Sequence, residues 1–477
     1  MKNIVFFFCD ELRQDALGCY GNPAGSMHTP NIDFIANRGY LFENSYCNSP
    51  VCVPSRTSIM TGLYPEDTGV YDNEAALPTF TLPHKAVTFP EVLRQSGYRT
   101  ANFGKTHLPP QLHPFETDKS QGSEMGLGLS LFERGNLRKI SPCGAFSFNA
   151  ASLYPEDKDY YPEKVTLNAL NWMEQQESPY FVRISYTQPH TPIIVKRGYE
   201  AIYKNYPFTG SLPDITYLSE FEQSFAQVIN LDTLTEAELI QSKIYYYGLV
   251  CWIDDEIGKV LNFLRKQEQL DNTILVLGAD HGALRGECRG LGKHLFHRAS
   301  QSVPLIIADP DHKEAHRISS ICSNIDIPST ILPLAGIDTP KQFKGNNLFT
   351  DRGSQTVYAT IGYGESDSCA FPARQLGRLP GDRGWPRRSC IRTNKYRLDM
   401  NTRIDGNYVS YDQADADIFF VDCEKYPNED FNMYSDPAYK SVVEDLVAKL
   451  AKHCSCPTEV SPDMLHIPKD MVAGTKQ

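Results

Sequence analysis

No stretch of the 477-residue chain is long and apolar enough to span a bilayer, and positive charge is in deficit, with 46 Lys and Arg against 58 Asp and Glu for a net charge of −12. The first absence excludes a helical membrane protein. The second argues against general binding to nucleic acid or to an anionic membrane, so an anionic substrate has to be met by a locally positive pocket. Paired cysteine spacing is missing as well. The 13 cysteines are scattered and odd in number, with one close pair at Cys454 and Cys456, which indicates neither a disulfide framework nor a zinc ribbon. Reduced cysteines are the expectation. The opening MKNIVFFFCDELRQD passes from a short apolar stretch directly into acidic residues, without the apolar core and cleavage site of a secretory signal. The reading is a cytoplasmic enzyme, or a periplasmic one if a leader has been removed. Internal repeats are absent too.

What is present describes a globular protein of 41% hydrophobic and 22% charged residues, too long for one ordinary core. Asn3–Phe8 is a continuous apolar run that predicts a buried central strand, and it ends in Cys9-Asp10-Glu11. Ligand sites in open α/β sheets gather at the carboxyl ends of strands, which makes Asp10 a metal-ligand candidate as well as a candidate helix cap. Thr29-Pro30 opens a short helix ended near Gly39, and Thr88–Ser96 has amphipathic helical spacing. Strands are predicted at Tyr98–Phe103, Tyr180–Ser185 and Thr273–Leu277, and a long amphipathic helix over Glu236–Gln267. Residues 111–159 read as long loops. After a helix over Asp326–Leu334, short strands at Val357–Ile361, Ser389–Thr393 and Tyr396–Asp399 and a helix over Pro437–Cys454 predict a small antiparallel sheet with a covering helix. The division is a catalytic α/β domain over 1–350 and a C-terminal subdomain over 351–477.

The chain turns on Asn48–Pro65, NSPVCVPSRTSIMTGLYP. Cys52 precedes a proline that favours the first turn of a helix, so the thiol would sit where backbone N–H groups stabilise an anion and lower its pKa. Arg56, one turn on, would point back to the same spot. A buried cysteine beside a turn is the plain alternative. Three further segments place polar residues at strand ends, Gly104-Lys105-Thr106-His107, Pro189-His190-Thr191-Pro192 and Asp280-His281-Gly282, and a fourth, Gly290-Leu291-Gly292-Lys293, precedes the apolar run Ser302–Ile307. The prolines hold His190 in an extended loop, and Asp280 with His281 can hold a metal.

Cys52-Val53-Pro54-Ser55-Arg56 followed by Thr61-Gly62-Leu63-Tyr64-Pro65 resembles the sequence by which type I sulfatases are recognised for oxidation of the cysteine to formylglycine. The later segments resemble that family's motifs in the family's order, over about residues 3–453. The resemblance implies an alkaline-phosphatase-like α/β fold, a large mixed sheet flanked by helices, and hydrolysis of a sulfate ester by the hydrated aldehyde. It implies a divalent cation held by Asp10, Asp280, His281 and modified Cys52, with Ca²⁺ ahead of Mg²⁺ or Mn²⁺. Arg56 and Lys105 would orient the formylglycine, His190 and Lys293 would neutralise sulfate, and His107 would remove the proton that lets sulfate leave. The partners implied are a sulfated small molecule or saccharide and a formylglycine-generating maturation enzyme, with no nucleic acid and no membrane. Sulfatases commonly carry two aspartates where this chain has Asp10-Glu11, which puts Glu11 in doubt as a ligand. Many members have Tyr-Glu where Phe296-His297-Arg298 stands, so distinctive substrate contacts are expected there.

Val70-Tyr71-Asp72-Asn73 is similar to a stretch in choline-sulfatase-like and phosphonate-hydrolase-like relatives, which keeps a small-ester or phosphonate hydrolase as the alternative; a non-catalytic binder of sulfated glycans is a third reading. A cysteine phosphatase is excluded, because those enzymes place five residues between Cys and Arg. The last expectation is an anion-binding loop over Ala373–Arg392. Arg374, Arg378, Arg383, Arg387, Arg388 and Arg392 crowd it, and Trp385 is placed to stack on a sugar. It predicts Arg387 and Arg388 as substrate contacts.

Overall fold

The computed structural model describes residues 1–21, 28–83, 86–120, 151–154, 161–177, 179–351, 356–366 and 384–454. An eight-stranded sheet forms its centre, built from β1 (Asn3–Asp10), β2 (Tyr40–Tyr46), β3 (Arg99–Gly104), β4 (Thr117–Lys119), β5 (Tyr180–Pro189), β6 (Thr273–Ala279), β7 (Leu305–Ala308) and β8 (His316–Ser323). The spatial order is β8-β2-β7-β6-β1-β5-β3-β4. Every pairing is parallel except the two made by β7, which runs antiparallel to β2 and β6.

β1 lies in the middle because it is apolar on both faces. Val5, Phe7 and Cys9 enter one core, and Ile4, Phe6 and Phe8 enter the other. The first core is closed by α1 (Pro30–Ala36), α4 (Tyr161–Met173) and the long α6 (Glu236–Lys266), whose Leu249, Trp252, Ile253, Ile257, Val260 and Leu264 all pack into it. The second is closed by α2 (Cys52–Thr61), α3 (Phe89–Gln95) and α7 (Asp326–Leu334). The helix α5 (Glu220–Ile229) packs Phe221 and Phe225 into a third cluster, with Leu284, Leu291 and Trp385.

The C-terminal part is the predicted antiparallel sheet, β9 (Val357–Ile361), β10 (Arg387–Arg392), β11 (Tyr396–Ile404), β12 (Asn407–Tyr408) and β13 (Phe419–Asp422), covered by α8 (Lys440–Cys454). Several elements depart from the sequence reading: β2, α4 and α5 were not expected, and β4 is a short strand within the stretch read as loops. β5 continues to Pro189, so the residues expected to begin a loop at Tyr186 still pair beside β1. β8 was not expected at all, since five of its first residues are exposed or half-exposed and only Ile321–Ser323 are buried. The loops expected over 111–159 fall largely outside the described residues.

Candidate active site

The carboxyl ends of β1, β3, β5 and β6 and the first turn of α2 converge on one buried volume. β1 delivers Asp10 and then turns through Glu11, which has a left-handed φ of 62°. Its N–H donates to Asp280 Oδ1 at 3.2 Å and its carbonyl accepts from the Tyr246 hydroxyl at 2.6 Å, so α6 fixes the turn. The helix α2 begins at Cys52 after an extended Val51, and the Val53 N–H is capped from a distance by Asn73 Oδ1 at 3.0 Å. At the end of β3, Gly104 has φ 91°, and a Cβ there would stand 2.0 Å from the Ser185 carbonyl oxygen. Only glycine lets the chain turn there and present Lys105 and His107.

Four donors cluster at the centre: Asp10, Cys52, Asp280 and His281, with ligand atoms all within 4.8 Å of one another. His281 Nδ1 lies 2.8 Å from the Gly282 carbonyl oxygen and donates to it, which leaves the lone pair on Nε2. That atom lies 3.3 Å from Cys52 Sγ, 3.7 Å from Asp280 Oδ1 and 3.8 Å from Asp10 Oδ1. Burial, and then Asp10, push the Asp280 carboxyl above its ordinary range. Two adjacent buried carboxylates with a correctly oriented imidazole fit a divalent cation, which would remove their mutual repulsion. Cys52 Sγ occupies the place that the oxygens of an oxidised side chain would take.

Cations surround this cluster. Arg56 Nε donates to Asp280 Oδ2 at 2.8 Å, Nη2 lies 3.2 Å from Asp10 Oδ2, and Nη1 donates to the Lys105 carbonyl at 2.9 Å. Lys105 Nζ forms an ion pair with Asp10 and lies 3.7 Å from Cys52 Sγ, while Lys293 Nζ is 2.8 Å from the same sulfur. Burial alone would raise the Cys52 thiol, but Lys105 and then Lys293 hold it well below its ordinary value, and a hydrogen bond with His107 adds to this. His190 hydrogen-bonds through Nδ1 to the Thr191 carbonyl, so Nε2 is free to accept from Lys293 Nζ at 3.2 Å. His107 is half-buried at a left-handed φ of 48°. The arrangement can hold a cation on one side of residue 52 and a tetrahedral anion on the other.

The structure thus brings together Asp10, Cys52, Arg56, Lys105, His107, His190, Asp280, His281 and Lys293, and it corrects three other expectations. Arg388 is not placed to meet substrate: it is fully buried in β10, with Nε 2.6 Å from Asp399 Oδ1 and Nη1 3.2 Å from Asp417 Oδ2. Arg387 is buried too, donating to the carbonyls of Gly362 and Tyr363, with its guanidinium 3.8 Å above the Tyr71 ring. Arg392 forms a fork with Glu429, and Trp385 packs edge-on against Phe221 instead of facing a sugar. Arg374, Arg378 and Arg383 lie outside the described residues. The segment Phe296-His297-Arg298 faces the C-terminal subdomain: His297 Nε2 meets the Asn428 carbonyl at 2.8 Å and the Arg298 N–H meets Glu429. Glu11 stands outside the four-donor cluster and beside cations, with Oε1 3.3 Å from Lys293 Nζ and 3.5 Å from His190 Nε2. Sequence reasoning also missed Asn73, whose capping role has no local signature, and Asn324, which donates to the Ala279 and Asp280 carbonyls.

The family model described as Sulfatase matches residues 2–337. A choline-sulfatase of Rhizobium meliloti is 30% identical over 361 residues, 70% of this chain and 68% of its own length. An N-acetylglucosamine-6-O-sulfatase of Bacteroides thetaiotaomicron is 26% identical, over 72% of this chain and 70% of its own. A solved structure described as a complex with its substrate D-glucosamine-2-N,6-O-disulfate superposes with a TM-score of 0.70 at 23% identity, covering 95% of this chain and 97% of that one. A match over residues 2–337, joined to a relative at 30% identity, makes the chain a member of the sulfatase family and, with it, a sulfuric ester hydrolase.

Proposed function

We propose that the protein hydrolyses a sulfate monoester on a sulfated carbohydrate, using residue 52 as formylglycine made by a maturation enzyme and Ca²⁺ as the bound cation. One observation carries the reading: Cys52 Sγ is one of four clustered donors that could hold a cation and at the same time lies 2.8 Å from the Lys293 ammonium. The N-acetylglucosamine-6-O-sulfatase, similar over 72% of the chain, supports a saccharide substrate. Hard oxygen donors favour Ca²⁺, with Mg²⁺ or Mn²⁺ as alternatives.

The bound cation would supply charge to hold the residue-52 oxygen and to polarise the sulfate. The chain's own groups do the rest. Lys105 and Lys293 hold the ester's non-bridging oxygens, and preorganised cations aimed at them are the main source of transition-state stabilisation. One hydroxyl of the hydrated aldehyde forms a bond to sulfur as the sulfur–oxygen bond to the sugar breaks. The departing oxygen takes its proton from the Lys293 ammonium, which His190 Nε2 holds at 3.2 Å, and the proton released by the attacking hydroxyl restores that ammonium. His107 then takes the proton of the second hydroxyl, the carbonyl re-forms, and the bond between the residue-52 oxygen and sulfate breaks. Water rehydrates the aldehyde.

The test is turnover by protein produced together with a formylglycine-generating enzyme. 4-Nitrophenyl sulfate, an aryl phosphonate, an aryl phosphodiester and a panel of sulfated saccharides are compared. Preference for the sulfates by kcat/KM supports the reading; preference for phosphonate or diester overturns it.

A further inference from the structure

Six arginines are among the largest fully buried side chains: Arg56, Arg183, Arg285, Arg388, Arg392 and Arg397. Five of them donate hydrogen bonds to protein acceptors, as Arg397 does to Asp399 and Glu222 and Arg183 does to Asn102. Arg285 alone of the six donates none. Its Nε, Nη1 and Nη2 all lack an acceptor, although the side chain is only 1% exposed. Neighbouring Arg13, by contrast, is used on Asp15, Glu287 and the Ala283 carbonyl. Burying a guanidinium with no hydrogen-bond acceptor is strongly unfavourable, so such a group has a ligand to meet or is driven out.

Position says what kind of ligand. The Arg285 guanidinium lies 4.6 Å over the Tyr246 ring, and its Nη2 is 3.7 Å from Glu11 Oε2, close enough for charge pairing and too far for a hydrogen bond. The other oxygen of Glu11 faces Lys293 and His190. Glu11 is therefore one carboxylate shared among three cationic or proton-bearing groups, and Arg285 stands one side chain beyond the lysine that touches residue 52. The donor fork of Arg285 is unused, while Glu287, the nearest other acid, is taken up by Arg13 and by the Arg285 N–H. Such a place suits a planar or tetrahedral anion and repels an ammonium group.

We propose that Arg285 is a specificity-determining residue that binds a second anionic group, a sulfate or a carboxylate, on the sugar bearing the scissile ester. The assignment rests on the proposed sulfatase reading and narrows its substrate. Glu11 keeps Lys293 and His190 in place while the fork of Arg285 takes the second anion, and a cationic ester such as choline sulfate is disfavoured.

The experiment compares glucosamine 6-sulfate, glucosamine 2-N,6-O-disulfate, a sulfated disaccharide carrying a uronate, choline sulfate and 4-nitrophenyl sulfate. Wild-type protein and the variants Arg285→Gln and Arg285→Lys are assayed on each. Wild type is expected to favour a doubly anionic saccharide over glucosamine 6-sulfate by about tenfold or more in kcat/KM, and the disulfate and uronate arms tell which anion is read. Arg285→Gln should reduce kcat/KM for that substrate about 30-fold, chiefly through KM, with a much smaller loss on 4-nitrophenyl sulfate and partial recovery in Arg285→Lys. Equal losses on singly and doubly anionic esters would overturn the assignment. So would a wild-type enzyme indifferent to the second anion or best on choline sulfate, a result that needs no folded variant. Absence of turnover on every sulfate ester would instead sink the sulfatase reading itself.

Discussion

One guanidinium on the nucleophile helix grips both carboxylates of the cation site: Arg56 Nε is 2.8 Å from Asp280 Oδ2, and its Nη2 is 3.2 Å from Asp10 Oδ2. All three side chains are fully buried. Breaking such a pair leaves charge in the interior without compensation, so Arg56→Ala should destabilise the protein by about 3–5 kcal/mol. Arg56→Lys keeps the charge but loses the fork and should lose less. Urea unfolding midpoints check both values, and an unchanged midpoint in Arg56→Ala would show that the contact is dispensable.

Removal of the cation should act on stability as well as on turnover. Asp280→Ala takes away an oxygen donor, so bound metal, measured by elemental analysis, should fall from about one per chain towards none. A ligand present at 100 times its dissociation constant stabilises by about 2.7 kcal/mol, so chelation of the wild type should lower its unfolding midpoint, with little further change in Asp280→Ala. Full metal content in Asp280→Ala would place the site elsewhere.

The buried arginines of the C-terminal sheet are predicted to act on folding, not on substrate. Arg388→Ala should cost about 3–5 kcal/mol, because Asp399 and Asp417 lose a buried partner. The folded fraction should keep its KM for saccharide sulfates. A raised KM at unchanged stability would restore the substrate-contact expectation.

Acid should loosen the same region. Burial disfavours a charged Glu429, yet Arg392 and then Arg397 prevail and hold its carboxyl well below the ordinary value of 4.5. A carboxyl with a depressed folded pKa binds fewer protons folded than unfolded. Its stabilisation is therefore complete above about pH 4.5 and is lost as pH falls from there through the folded value. Glu429→Gln should flatten the acid limb of a stability–pH curve between pH 4.5 and 2 relative to wild type, and an unaltered slope would remove Glu429 from the account.

Much of the fold was legible because its signals are local. The run Ile4–Phe8 is apolar at every position and lies buried on both faces, and the caps of α6 and α7 sit within a residue or so of where spacing placed them. Most of the site was legible through resemblance, since its residues follow short motifs at strand ends. The arginine-rich segment misled because arginine is ordinarily a surface residue. Its buried state depends on Asp399, Asp417 and Glu429, acids brought in from other elements that no local pattern connects. Arg285 was missed for the same reason, since its neighbours Glu11 and Tyr246 come from the far side of the sheet sequence.

The central claim is that residue 52 works as formylglycine, and the mass of the peptide that contains it is the most direct measurement. Protein produced with a formylglycine-generating enzyme is digested, the converted fraction is read from the mass spectrum, and turnover of 4-nitrophenyl sulfate is measured on the same samples. Conversion replaces sulfur by oxygen and removes two hydrogens, a shift a mass spectrum resolves easily. The account predicts that activity rises in proportion to the converted fraction and that Cys52→Ala, correctly folded, has none. Full sulfatase activity in protein whose Cys52 is wholly unmodified would contradict it.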